Sequence, residues 1–141
     1  MINLIDINTF KPLTKQQLAN YNLQSLAFVG DAVFSLFVRT QIALFSTGKS
    51  GSLHKASVAV VKATAQSEIL DKLMPFLTDE EAALATRARN TKVNAPTKKA
   101  TRAEYMKSTA YEALLGCLYL GGENKRLQEI LQMSMGFIKE E

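Results

Sequence analysis

One cysteine and one histidine stand among 141 residues. A disulfide framework is excluded, and so are zinc sites that draw on several such ligands. Cys117 lies in an apolar helical run with no basic residue or histidine beside it, so it reads as core filler rather than a nucleophile. Tryptophan is absent, and three prolines and seven glycines leave room for long helices. The β-branched residues are scattered rather than alternating, so strands are poorly supported. No uninterrupted apolar run reaches about 18 residues, the length a membrane-spanning helix needs. The opening MINLIDINTFKPLTKQQ carries acidic and polar residues where a signal peptide needs an apolar core. The expectation is a protein of the reducing cytoplasm with no membrane partner.

What remains is a single all-α domain over residues 1–141, large enough for a sizeable core. Residues 1–9 read as loosely attached. Helices are predicted over 13–21, 22–46, 52–74, 78–90, 98–120 and 123–139. Asn22 is a cap for the second of these. Thr78 and Glu81 form a capping box, Pro75 stops the helix before it, and Gly121-Gly122 ends the fifth. Residues 46–52 and 91–97 are loops. Gly48-Lys49-Ser50 resembles the end of a phosphate-binding loop, but the first glycine of that pattern would fall at Ala43, and a helix precedes it where a strand is required.

The net charge is +4, and its placement says more than its size. Residues 86–107 hold seven basic side chains (Arg87, Arg89, Lys92, Lys98, Lys99, Arg102 and Lys107) against one acid, Glu104, a net +6. The rest of the chain has ten basic and twelve acidic residues, a net −2. A polyanion is the natural partner of such a segment, and a solvated helix face is the plain alternative.

The helix over 22–46 is apolar almost all the way round, which implies burial. Only Asp31 and Arg39 interrupt it. Arg39 can reach water along its stem. Asp31 has Ala27, Phe28, Phe34 and Ser35 one turn away and needs a partner. Glu112 repeats the anomaly, alone among apolar residues with Ser108, Thr109, Leu115 and Gly116 around it. Small residues on that face, and the stripe Gln24, Ala27, Asp31 and Ser35 on the other helix, suggest a meeting point. Two facing carboxylates repel, and a divalent cation between them would remove the repulsion. The competing expectation is that Asp31 pairs with an arginine and Glu112 with backbone amides or a lysine.

The stretch Leu26-Ala27-Phe28-Val29-Gly30-Asp31-Ala32-Val33 resembles the signature of the ribonuclease III catalytic domain, and Tyr111-Glu112-Ala113-Leu114-Leu115-Gly116 resembles its second motif. The likeness is closest to the Mini-ribonuclease III branch. Leu53-His54-Lys55, AQSEIL at 65–70, Glu80-Glu81 leading to Arg87-Ala88-Arg89-Asn90, and Tyr105 with STAYEALLG at 108–116 all follow in the expected order. The resemblance implies an all-helical, homodimeric endonuclease without a separate RNA-binding domain. It implies cleavage of double-stranded RNA, typically precursor large-subunit (23S) ribosomal RNA, leaving a 5′ phosphate and a short 3′ overhang. Mg²⁺, with Mn²⁺ as a substitute, would be held by Asp31 and Glu112 as metal ligands and catalytic residues. Lys55, Arg87, Arg89, Asn90, Lys92, Lys98, Lys99, Arg102 and Lys107 would contact RNA, and a ribosomal protein is a candidate partner. Full-length members carry further acids where this chain has Gln24, Ala27 and Thr109, so water must fill more of the metal shell. Ala88 replaces a common glycine.

His54, beside Lys55 at a helix start, is read as a cap or RNA contact rather than a base. The apolar perimeter of the 22–46 helix predicts an isologous dimer contact through Phe28, Phe34 and Phe37. The rival to the enzyme is a catalytically silent double-stranded RNA-binding or ribosome-associated helical protein, which needs the basic segment but neither acid.

Overall fold

A computed structural model describes residues 10–45, 63–91 and 101–138. The predicted loop at 46–52, the start of the third helix, and residues 92–100 lie outside them. The described residues are helical: α1 (Lys15–Ala19), α2 (Leu23–Phe45), α3 (Ala63–Leu73), a 3₁₀ turn (Met74–Phe76), α4 (Asp79–Arg89), α5 (Arg102–Leu120) and α6 (Asn124–Gly136).

The helix starts follow from side-chain caps. Asn22 Oδ1 accepts from the Ser25 amide at 3.0 Å, as predicted. The Thr78–Glu81 capping box is formed in both directions, at 3.2 and 2.9 Å. Two further boxes, Thr14 with Gln17 and Thr101 with Glu104, open α1 and α5. The second corrects the predicted start at 98: Thr101-x-x-Glu104 is the stronger signal, and α5 begins at Arg102. α3 stops at Leu73, two residues before Pro75. α5 ends in a left-handed turn at Gly122 (φ 70°), with the Glu123 amide donating to Leu118 O at 2.9 Å and the Gly122 amide to Tyr119 O at 3.1 Å.

The expectation that α2 is buried all round is corrected. Leu26, Ala27, Gly30, Val33, Phe34, Phe37 and Val38 form one buried stripe. The opposite side exposes Phe28, Ala32 and Leu36, one above another at four-residue spacing. By length and composition alone α2 could cross a bilayer, but that stripe is locked against α5. Composition cannot distinguish a helix with a covered apolar perimeter from one with a bare apolar side. α5 is the central helix instead, packing against α2, α3, α4 and α6. Its middle is small and apolar, with Ala110, Ala113 and Gly116 letting neighbours in on several sides.

The closest of these approaches is α2 on α5. A methyl group on Gly30 would overlap the Glu112 carbonyl, and one on Gly116 would overlap the Leu26 carbonyl. The two glycines face each other's helix, so the backbones touch where side chains would otherwise separate them. Around this crossing, the Phe34 ring meets Tyr111 edge-on at 5.2 Å. The Tyr111 hydroxyl donates to Ser134 Oγ at 2.7 Å, and Ser134 passes its own proton to Ile130 O, also at 2.7 Å, so both buried hydroxyls are satisfied. Arg126 of α6 clamps the other side: it grips both Glu81 oxygens at 2.8 and 2.9 Å and donates to Phe76 O at 2.8 Å. That guanidinium holds the Glu81 carboxyl below the usual carboxylate range.

Candidate active site

The crossing at Gly30 and Gly116 brings one turn of α2 beside one turn of α5. Between them opens a cleft of about 270 Å³ lined by Gln24, Ala27, Phe28 and Asp31 from α2 and by Tyr105, Thr109 and Glu112 from α5. The two acids singled out in sequence therefore meet, although 81 positions separate them. Asp31 is at the edge of the buried stripe of α2 and is exposed, which corrects the expectation that it is sealed in the core. Glu112 is the recessed member.

The three largest effects on Glu112 act in one direction. Burial penalises its charged form, Asp31 holds a hydrogen bond to it that favours the protonated form, and the negative charge of Asp31 adds to the effect. The Glu112 carboxyl is pushed up to about 9. The Gln66 side chain opposes this by favouring the charged form. Among the described residues neither Asp31 nor Glu112 has an ion pair with a basic side chain. The expected alternative, an arginine for Asp31 or a lysine for Glu112, is not formed among the described residues.

A divalent cation fits this donor set. The cleft offers carboxylate, amide and hydroxyl oxygens and no nitrogen or sulfur ligand, the chemistry of a hard cation. No third acid, histidine or cysteine joins the pair among the described residues, so water would complete the shell. A cation would also cancel the repulsion between the two carboxylates, which adds to burial in raising the Glu112 carboxyl.

The raised Glu112 carboxyl has a consequence for stability. Its folded pKa exceeds the unfolded one, so between about pH 4.5 and 9 the folded protein binds the extra proton. Without metal, stability therefore falls as pH rises through that window, by ~3 kcal/mol at pH 7. Glu112→Gln removes the burden and is expected to be the more stable protein at pH 8, with a flatter profile. Denaturant melts at pH 5.5 and 8 in chelator test this, and parallel profiles for the two proteins would refute it.

The predicted RNA contacts divide. Arg87 and Arg89 occupy the last turn of α4 and Asn90 caps it, all exposed. Both arginines complement the helix dipole there. Arg102 is exposed in the first turn of α5, the end where a cation gains nothing from the dipole. Lys107 is bound within the chain, 3.0 Å from Asp71 of α3, and does not line the cleft. Lys55, Lys92, Lys98, Lys99 and His54 lie outside the described residues.

The predicted dimer residues are also corrected. Phe34 and Phe37 point into the core, 0% and 8% exposed, and cannot form an outer contact. Phe28 is 81% exposed. Sequence reasoning passed over Gln66, which sits at 2% exposure on the stripe of α3 that carries Ile69, Leu70 and Leu73. A lone amide at core spacing was the available signal.

Known proteins resemble the chain along this same path. The ribonuclease III domain family model matches residues 24–123. Mini-ribonuclease 3 of Thermoanaerobacter sp. (strain X514) is 41% identical over 128 residues, covering 91% of this chain and 90% of its own. Mini-ribonuclease 3 of Symbiobacterium thermophilum is 43% identical over 115 residues, covering 82% of this chain and 88% of its own. The crystal structure of a Fusobacterium nucleatum protein superimposes with a TM-score of 0.76 at 30% identity, over 85% of this chain and 96% of that one.

Proposed function

Since the chain belongs to the ribonuclease III family, in its Mini-ribonuclease III branch, and is a ribonuclease on that ground, we propose that it cleaves double-stranded RNA with Mg²⁺ and matures precursor 23S ribosomal RNA in the cytoplasm. The observation that carries the reading is the pair of carboxylates, Asp31 and Glu112, brought into one cleft without a basic partner among the described residues. A silent RNA-binding protein would have no use for two carboxylates facing one cleft.

Asp31 and Glu112 would hold Mg²⁺, or Mn²⁺ in its place. Such an ion, when bound, neutralises charge on the scissile phosphate and makes a water nucleophilic at neutral pH for in-line attack, leaving a 5′ phosphate. Glu112 must give up its carboxyl proton to serve, which ties cation binding to proton release. Gln24 and the Thr109 oxygen stand where further acids would be, and suit hydrogen bonds to ordered water rather than direct charge. The Thr109 hydroxyl proton is committed to Tyr105 O at 3.0 Å, which leaves its oxygen to accept. Arg87, Arg89 and Arg102, exposed and without an ion pair among the described residues, would hold the duplex by its phosphates.

The column Phe28, Ala32 and Leu36 supports a homodimer, because an apolar face of that kind on a small protein favours burial against a second copy. Phe28 also lines the cleft, so such a contact would set the two sites beside the two-fold axis. A ribosomal protein could then present the substrate.

The deciding experiment offers the purified protein a long RNA duplex and the same sequence as DNA, with Mg²⁺ and with excess chelator. The expected result is cleavage of RNA alone, abolished by chelator, by a species that scatters light as a dimer. Undiminished cutting in chelator would overturn the metal mechanism, and equal cutting of DNA would overturn the substrate.

A further inference from the structure

Gln66 is 2% exposed on α3, which packs against α5, and its Nε2 donates to no partner among the described residues. A buried amide donor left without a partner is destabilising, and folded proteins rarely keep one. The amide lies beside Glu112, close enough to favour that carboxylate's charged form but without a hydrogen bond of good geometry. Glu112 also faces the cleft that Asp31 lines. The unsatisfied donor and a carboxylate able to accept from it are thus neighbours.

We propose that Gln66 is a positioning residue for Glu112, its buried amide donating to the Glu112 carboxylate once that carboxylate holds a divalent cation. The inference rests on the reading of Asp31 and Glu112 as cation ligands. Its logic is chemical. A carboxylate has two oxygens. A cation would bind through one of them and leave the other to accept from Gln66. Outer hydrogen bonds of this kind orient a metal-binding carboxylate and typically set affinity by 10–100-fold. A donor waiting on the apolar stripe of α3 is costly in the metal-free protein and satisfied in the loaded one. Leucine or methionine at position 66 would pack as well but would offer nothing to Glu112.

Gln66→Met, of similar volume and without the donor, tests this beside Gln66→Glu and the control Glu112→Gln. Mn²⁺ binding is measured by calorimetry without RNA, thermal melting with and without Mn²⁺, and duplex cleavage as kcat and KM separately. Gln66→Met is expected to melt in chelator at or above the wild-type temperature, to bind Mn²⁺ about 10-fold more weakly, and to lose kcat with KM for RNA unchanged. Gln66→Glu places a third negative charge at the pair. It is expected to melt lower in chelator and to gain more from Mn²⁺ than the wild type does. Wild-type Mn²⁺ affinity in Gln66→Met overturns the proposal, as does a lower melting temperature with affinity unchanged, which would make Gln66 a packing residue. If Gln66→Met fails to fold, a Gln66→Glu protein that Mn²⁺ stabilises no more than the wild type overturns it. Glu112→Gln separates the two readings: should it still bind Mn²⁺ and cut RNA, the carboxylate pair itself is refuted, whereas an inactive Glu112→Gln beside a normal Gln66→Met refutes Gln66 alone.

Discussion

Asp31→Asn is expected to lower duplex cleavage by about 10³-fold, equivalent to ~4 kcal/mol of barrier, while the protein melts no lower than the wild type. The two halves of that expectation have different causes. Activity falls because the amide carries no charge to share a cation with Glu112. Stability holds because Asp31 has no ion pair among the described residues and its charge works against Glu112. Removing that charge relieves part of what keeps the Glu112 proton in place. Were Asp31 the partner of a buried cation, the same change would strand the cation at a cost of about 3–5 kcal/mol. RNA binding should persist, since phosphate contacts from Arg87, Arg89 and Arg102 are untouched. Melting and cleavage on one sample decide the matter. A variant that melts many degrees lower, or that cuts at a near wild-type rate, ends the assignment of Asp31 as a catalytic residue.

Gly30→Ala carries the largest expected effect on stability. The added methyl meets the Glu112 backbone carbonyl, which cannot rotate aside as a side-chain tip would. α2 and α5 must move apart, and the shared core of Leu26, Phe34, Tyr111 and Leu115 opens with them. Overpacking against backbone places the cost at the upper end of the usual range, ~3 kcal/mol or more, or a melting shift on the order of 10 °C. Cleavage should fall further than stability alone explains, because Asp31 and Glu112 flank this same crossing. Gly136→Ala is the internal control. It ends α6 with nothing near the added carbon, and is expected to be neutral or slightly stabilising. Equal melting temperatures for the two variants would show that the helices do not touch at Gly30.

Much of the site was legible because its residues break local rules. Asp31 and Glu112 are conspicuous as lone acids in apolar helices, and their small neighbours announce a close approach. Thr78 and Glu81 announce a helix start at three-residue spacing, and the structure forms that box at 3.2 and 2.9 Å. Gln66 breaks the same kind of rule, yet a single amide on an apolar stripe is a weaker signal than a carboxylate, since an amide can be satisfied by many partners. Lys107 has a partner that its place in the sequence did not reveal. Five residues separate it from Glu112, but five helical positions turn well away from the same face, and Asp71 was waiting on another helix.

By itself the sequence determined the helix ends, the apolar stripes and the presence of two acids that had to be explained, because caps, periodicity and charge act over a few residues. Which side of α2 is covered was decided only by the tertiary structure. Phe28, Phe34 and Phe37 are chemically alike, and only packing against α5 sends two of them inward and leaves one outside. The pairing of Asp31 with Glu112 was decided there too: two glycines far apart in the chain remove the side chains that would hold the helices apart, and backbone contact brings the carboxylates into one cleft.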